Sequence, residues 1–273
     1  MSPRLFGIVN ITEDSFSDGG RYLDPSNAIA HARALLAAGA EVIDLGAAAS
    51  NVDAQPVSAT EEISRLDPVI TALAADGAQI SVDSFLPEVQ RFALGDGVAF
   101  LNDIQGFPDP SLYPALAAAT CRLVVMHAVQ GRGRAQRVEL TADEVWARIH
   151  HFFGERLAAL ERGGVARERL ILDPGMGLFL SSRPEASLRV LTGLGRLKRD
   201  FGLPVLVSVS RKSFLRAITG HDSAKATSAA TLAAEIYAAE MGADYIRTHD
   251  PGALADALKV MTALRAEAAR HSA

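Results

Sequence analysis

The sequence predicts one α/β domain over residues 1–273, a single (β/α)8 TIM barrel with long βα loops 1, 2 and 5. Three observations carry this. Short aliphatic runs alternate from end to end with longer Ala/Leu-rich stretches at helical spacing, which is the pattern of repeated βα units. There are eight such runs, the number that closes a parallel barrel in about 250 residues. The runs are apolar throughout rather than alternating, as expected of strands covered on both faces.

The strands are expected at Leu5–Val9, Glu41–Leu45, Gln79–Val82, Val98–Leu101, Cys121–Met126, Leu170–Leu172, Pro204–Val209 and Asp244–Ile246. The helices are expected at Asn27–Ala38, Thr60–Ala75, Pro87–Leu94, Ser111–Ala119, Thr141–Arg162, Pro184–Phe201, Ser223–Met241 and Gly252–Ala266. Five of them run into a glycine before the next strand, at Gly39, Gly77, Gly97, Gly164 and Gly242, the residue suited to a left-handed helix C-terminus. The least patterned stretches, Thr12–Leu23, Ala47–Ser58 and Ala128–Val138, all follow strands. They belong on the C-terminal rim, where βα loops build sites.

Composition removes several classes of function. The 27 Lys and Arg against 32 Asp and Glu give a net charge of −5, so no basic face is available for general nucleic-acid binding. Hydrophobic residues make up 49% and charged residues 22%, the composition of a globular chain. No apolar run approaches the roughly 20 residues that span a bilayer, and the start lacks the apolar core of a secretory signal. Cys121, alone of its kind, excludes an intrachain disulfide and fits a buried apolar filler. The expectation is a soluble cytoplasmic protein.

Polar groups close the apolar runs: Asn10, Asp44, Asp83-Ser84, Asn102-Asp103, His127, Asp173, Ser208 to Ser213, and Arg247 to Asp250. A ring of buried polar side chains calls for a ligand or for mutual hydrogen bonds. Asp83, Asn102 and Asp173 fall on strands 3, 4 and 6, whereas Arg211, Lys212, Arg247 and His249 fall on strands 7 and 8, so the rim is expected to be sorted into an acidic and a basic side. The basic side occupies the usual phosphate position of this fold, where guanidinium groups bind oxyanions in pairs of bonds. A carboxylate on the acidic side can accept two parallel bonds from an amino-substituted heterocycle. A phosphorylated heterocycle follows as the substrate class.

Other readings were weighed at each position. Asp44 divides evenly between a structural carboxylate and a ligand contact, and His127 leans toward packing. Gly175-Met176-Gly177 lacks dinucleotide-fingerprint spacing, which rejects NAD. Lys212 as a Schiff-base lysine is disfavoured by its arginine neighbour. Trp146 is expected in core or interface, and the arginines within Gln130–Arg137 in a solvated loop.

The motifs together resemble dihydropteroate synthase. Gly7-Ile8-Val9-Asn10-Ile11-Thr12, Asp14-Ser15-Phe16-Ser17-Asp18-Gly19-Gly20, Asn102-Asp103-Ile104, Asp173-Pro174-Gly175, Ser210-Arg211-Lys212-Ser213 and Arg247-Thr248-His249-Asp250 carry the resemblance over nearly the whole chain. It implies condensation of 6-hydroxymethyl-7,8-dihydropterin pyrophosphate with 4-aminobenzoate. By matched position, it assigns Asp83, Asn102, Asp173 and Lys212 to the pterin, and Asn10, Arg247 and His249 to the pyrophosphate. Asn10 also becomes a ligand to Mg²⁺ on the diphosphate, and Phe16 and Ser213 contribute to the aminobenzoate pocket, which Phe179, from a segment that departs from the family, is expected to narrow. Asp83, Asp173, Lys212, Arg247 and His249 form the implied catalytic set.

Two segments depart from the family. Its loop Gly-Glu-Ser-Thr-Arg-Pro-Gly is replaced by Gly46-Ala47-Ala48-Ala49-Ser50-Asn51-Val52-Asp53-Ala54, without the threonine and arginine, and its Gly-Phe-Gly-Lys by Gly177-Leu178-Phe179-Leu180. Both changes resemble the sulfonamide-insensitive type. A pterin-dependent methyltransferase is the runner-up, although it needs no Arg-x-His pyrophosphate grip, and a pterin-sequestering barrel is a third reading. The apolar faces of the last two helices suggest a homodimer.

Overall fold

The computed structural model describes residues 2–12, 23–49, 55–131 and 135–271. Eight parallel strands run in the order β6-β5-β4-β3-β2-β1-β8-β7: β1 (Arg4–Asn10), β2 (Val42–Gly46), β3 (Ile80–Asp83), β4 (Phe100–Asp103), β5 (Arg122–Met126), β6 (Leu170–Asp173), β7 (Leu206–Val207) and β8 (Tyr245–Thr248). The two ends meet through a bridge between Leu172 and Val205, with the Leu172 amide donating to Pro204 O at 2.9 Å, which closes the barrel.

Ten α-helices accompany the strands in the described residues: α1 (Pro25–Ala37), α2 (Ala59–Ala75), α3 (Pro87–Gly95), α4 (Tyr113–Ala118), α5 (Ala142–Arg162), α6 (Pro184–Thr192), α7 (Leu194–Phe201), α8 (Ser213–Thr219), α9 (Ser228–Glu240) and α10 (Pro251–His271). Local chemistry sets their starts. Asp24 and Ser58 accept backbone N–H groups at the first turns of α1 and α2, and Thr141 with Glu144 forms a reciprocal capping box on α5. All five glycines between helix and strand adopt positive φ.

The structure corrects three expected elements. The single helix over Pro184–Phe201 is two, broken at Gly193, where a Cβ would lie 2.6 Å from the Trp146 ring. Helix α8 was not expected, and α9 starts at Ser228 rather than Ser223. Strand β7 shrinks to Leu206–Val207, because the chain leaves the ladder for the turn at Ser210 and Arg211, where Arg211 has φ 60°.

Strand periodicity layers the lumen. Phe6, Val42, Phe100, Val124, Ile171, Leu206 and Tyr245 form an apolar floor, with the Phe6, Phe100 and Tyr245 rings edge-on at centroid distances of 4.9 to 6.1 Å. Side chains two residues further along a strand point the same way. From this floor that step reaches Ile8, Asp44, Asn102, Met126, Asp173, Ser208 and Arg247. On β3, Ser81 pairs with Phe100 and Asp83 with Asn102. The polar ring read from the sequence is thus the layer directly above a sealed hydrophobic plug. Cys121 and Trp146 are buried, as expected. No described helix is long and apolar enough to cross a membrane.

Candidate active site

Above the floor lies a small pocket lined by Asp83, Asn102, Ile104, Met126, Asp173, Met176, Phe179, Ser208, Lys212 and Arg247. Its walls combine the ends of β3, β4, β5, β6 and β8 with the segments that follow β4, β6 and β7.

Arg247 sits at the centre. Its Nε donates to Asp44 Oδ2 at 2.6 Å and its Nη2 to Asp83 Oδ2 at 2.8 Å. Asp44 is fully buried, so it is the structural carboxylate of the two readings, the counter-ion that holds the guanidinium. The strands keep the expected placement of acceptors and cations, and Arg247 reaches from β8 to pair with the facing carboxylates. Two buried carboxylates need a cation nearby, and an inward arginine on β8, two strands from β2, is long enough to supply it.

Burial pushes the Asp83 carboxyl up to about 7; Arg247 opposes this and Asp44 reinforces it. Burial likewise raises Asp173 to about 6, against the Gly175 amide and the charges of Lys212 and Arg247. Asp173 Oδ1 accepts that amide at 2.8 Å. Lys212, the residue preceding α8, is lowered to about 8 by burial and by Arg247, and its Nζ stands 5.1 Å from the centre of the Phe179 ring. Near neutrality the pocket holds an ionised Asp173 facing a protonated Lys212, a pair of opposite charges matched to a ring with adjacent donors and an acceptor.

The loop after β6 is shaped by two glycines. A Cβ on Gly175, at φ 74°, would lie 2.4 Å from His127 O, and one on Gly177 would lie 3.0 Å from Ser213 Oγ. This close approach seats Phe179 beside Ile104, Met126, Ala128 and Ala135. His127 takes the packing role: its Nδ1 bonds Pro174 O at 3.1 Å, its ring meets Phe152 edge-on, and burial lowers it to about 4, so it stays neutral. Asp103 braces the neighbouring loop, accepting from the Gln105 and Phe107 amides and from Gln90 Nε2.

Of the expected site residues, Asp83, Asn102, Asp173, Phe179, Lys212 and Arg247 line this pocket. His249 stands at its edge with Nδ1 2.9 Å from Ser210 Oγ. Burial, then Arg211, Arg247 and Lys212, hold the imidazole well below its ordinary range, which leaves it neutral. Ser213 opens α8 beside Gly177, and Asn10 ends β1 with Oδ1 over Gly46. Phe16 and the replaced stretch Ser50–Ala54 lie outside the described residues. Sequence reasoning gave no role to Met126 or Ser208, although their inward parity with Asp173 and Arg247 was legible from the strand pattern.

The donor set suits a magnesium ion only at the rim. No group of three or more His, Cys, Asp or Glu side chains suited to a metal exists among the described residues, and Asp44 and Asp83 are engaged by Arg247. Asn10 is a neutral oxygen donor at the rim. That suits a cation carried on a diphosphate, which needs few protein ligands.

Comparison with known proteins agrees with this geometry. Residues 6–249 match the model of the pterin binding enzyme family. The chain is 58% identical over 261 residues to the type-2 dihydropteroate synthase of Escherichia coli, covering 96% of each chain. It is 56% identical to the type-3 enzyme from the same organism, covering 96% of this chain and 99% of that one. The solved dihydropteroate synthase of Xanthomonas albilineans in complex with 7,8-dihydropteroate superimposes with a TM-score of 0.81 at 33% identity, covering 97% and 94% of the two chains. With a buried carboxylate, amide and lysine converging above a sealed barrel floor, and with relatives this similar over almost the full length, the chain belongs to the dihydropteroate synthase family, transferases that form a C–N bond.

Proposed function

We propose that this protein joins 6-hydroxymethyl-7,8-dihydropterin pyrophosphate to 4-aminobenzoate, releasing dihydropteroate and pyrophosphate. The observation that carries the reading is the shared pocket of Asp173 and Asn102, at the ends of β6 and β4, and Lys212, the residue preceding α8. Asp173 accepts from the 2-amino and ring N–H groups, and Lys212 donates to the ring carbonyl, so the heterocycle is held by its amide edge. The solved neighbour is in complex with 7,8-dihydropteroate, which supports a pterin as the ligand.

The chemistry follows from charge. The C–O bond between the pterin methylene and the diphosphate breaks, leaving positive charge delocalised into the electron-rich ring. The aniline nitrogen then forms the C–N bond and loses a proton. Asp83 and Asp173 favour the developing cation. Arg247 and the Nε2 side of His249 hold the departing anion, and Ser210 orients His249. Asn10 would hold a magnesium ion carried on the diphosphate, and that ion would supply neutralisation of leaving-group charge. The attacking amine needs position more than a strong base, so no side chain is assigned as one.

Phe179, with the altered loop after β6, forms the wall beside Ser213 and disfavours a sulfonamide that projects beyond the aminobenzoate outline. Specificity of this kind is a difference of two affinities, and one clashing wall can supply it. Tyr237 on α9 and Val260 and Leu264 on α10 are exposed, and we read this apolar face as the seam of a homodimer in a cytoplasmic enzyme. Sedimentation showing a monomer at micromolar concentration refutes the dimer.

The test is pyrophosphate release from the pterin diphosphate with magnesium, with and without 4-aminobenzoate, then with a sulfonamide. Release that requires aminobenzoate and persists with the drug supports both the synthase and the altered wall. Drug-sensitive release refutes the wall alone. No release from folded protein refutes the synthase.

A further inference from the structure

Ser208 carries no assigned role, yet its position is unusual. It follows β7 in the inward parity of Leu206, which belongs to the apolar floor. Its neighbours around the lumen are Asp173 on β6 and Arg247 on β8, and all three line the same pocket. Ser208 is 7% exposed, and its Oγ has no hydrogen-bond partner. Asn102 Oδ1, across the pocket, is also buried without a partner. Buried hydroxyls are almost always satisfied, and one left bare lowers stability. Among the described residues nothing explains why this position carries a hydroxyl rather than a methyl group.

We infer that the Ser208 hydroxyl is a substrate-binding group that hydrogen-bonds the pterin ring, alongside Asp173, Asn102 and Lys212. A hydroxyl both donates and accepts, so it can serve a ring edge where a donor and an acceptor adjoin. The inference rests on the pterin reading above and adds a residue to it.

The two possible roles of this serine predict opposite signs. A structural hydroxyl, when removed, lowers the melting temperature. A ligand-binding hydroxyl that is bare in the free protein leaves stability unchanged or raises it when removed, while binding weakens. The experiment is calorimetric titration of the folded protein and its Ser208→Ala variant with 6-hydroxymethylpterin, which carries the ring without the diphosphate, together with thermal unfolding of both proteins. The expected result is a Kd for the ring raised about three- to tenfold, the effect of one neutral hydrogen bond, with an unchanged or higher Tm. In turnover, KM for the pterin diphosphate rises while KM for 4-aminobenzoate does not. Equal ring affinity in the two proteins overturns the assignment while leaving the pterin reading intact. A fall in Tm accompanying the loss of affinity also overturns it, because the hydroxyl is then structural. Failure of the unaltered protein to bind the ring overturns the inference together with the pterin reading.

Discussion

Replacing Arg247 by methionine should destabilise the protein by an amount that depends on pH. Methionine matches the length of the arginine stem, so the perturbation is the loss of charge and hydrogen bonds rather than of volume. The arginine is the counter-ion of two carboxylates, at 2.6 Å from a fully buried Asp44 and 2.8 Å from Asp83, whose side chain is 18% exposed. Removing one partner of a buried ion pair costs about 3–5 kcal/mol, and here two charges are stranded, so a loss in that range is expected at pH 7. Without the arginine, the Asp83 carboxyl, already at about 7, loses the charge that opposes the effect of burial and rises further above its unfolded value. Groups raised in this way favour the folded state most below the unfolded pKa and lose that contribution as pH rises through the folded value. The deficit should therefore shrink on acidification, by well under the ~2.7 kcal/mol that one full extra proton would give between pH 7 and 5, because Asp83 of the unaltered protein also takes up its proton over this interval. Urea unfolding of both proteins at the two pH values measures this, and adding Asp44→Asn to the variant should restore part of the loss at pH 7. An equal deficit at both pH values, with no rescue by Asp44→Asn, would refute the counter-ion account.

Other outcomes follow from the same geometry. Asp173→Asn should lower kcat/KM about 10- to 150-fold, the range of one charge-assisted hydrogen bond, while the fold is retained by circular dichroism; near-normal kinetics would remove Asp173 from the pterin site. Gly175→Ala combines a positive φ with a Cβ placed 2.4 Å from His127 O, so a loss of at least about 1–2 kcal/mol is expected in denaturant unfolding, and unchanged stability would contradict the packing described. The pH profile of kcat/KM should be bell-shaped, rising as Asp173 ionises near 6 and falling as Lys212 loses its proton near 8; Lys212→Arg should abolish the alkaline limb, and a limb that persists assigns it elsewhere.

The alternation of runs made the barrel legible, because each strand and its covering helix carry their own hydrophobic signal. What the sequence hid depended on partners far along the chain. The break between α6 and α7 falls at Gly193 because the Trp146 ring from α5 occupies the space that a side chain would need. Helix α8 is only seven residues long and buries few side chains, so periodicity over such a span is weak, although Gly220 at φ 71° marks its end. The inward face of Arg247 was readable by parity, but its partner Asp44 stands 203 residues away. No local pattern indicates which carboxylate a guanidinium will choose.

The same parity explains why site and core do not compete. A polar layer containing Asp44, Asp83, Asn102, Asp173, Ser208 and Arg247 would be ruinous within a core, yet here it begins one strand repeat above seven interlocked apolar side chains. The floor excludes water from below, so the charges above it act at low dielectric, where a carboxylate or lysine exerts more force on a ligand than it would in water. That environment also raises the Asp173 carboxyl and lowers the Lys212 amine toward neutrality. The depth that strengthens each contact therefore narrows the pH range over which both groups are charged. Placing the layer one repeat deeper would strengthen the contacts but close that range. One repeat higher, solvent would screen the interactions that distinguish a pterin from other rings.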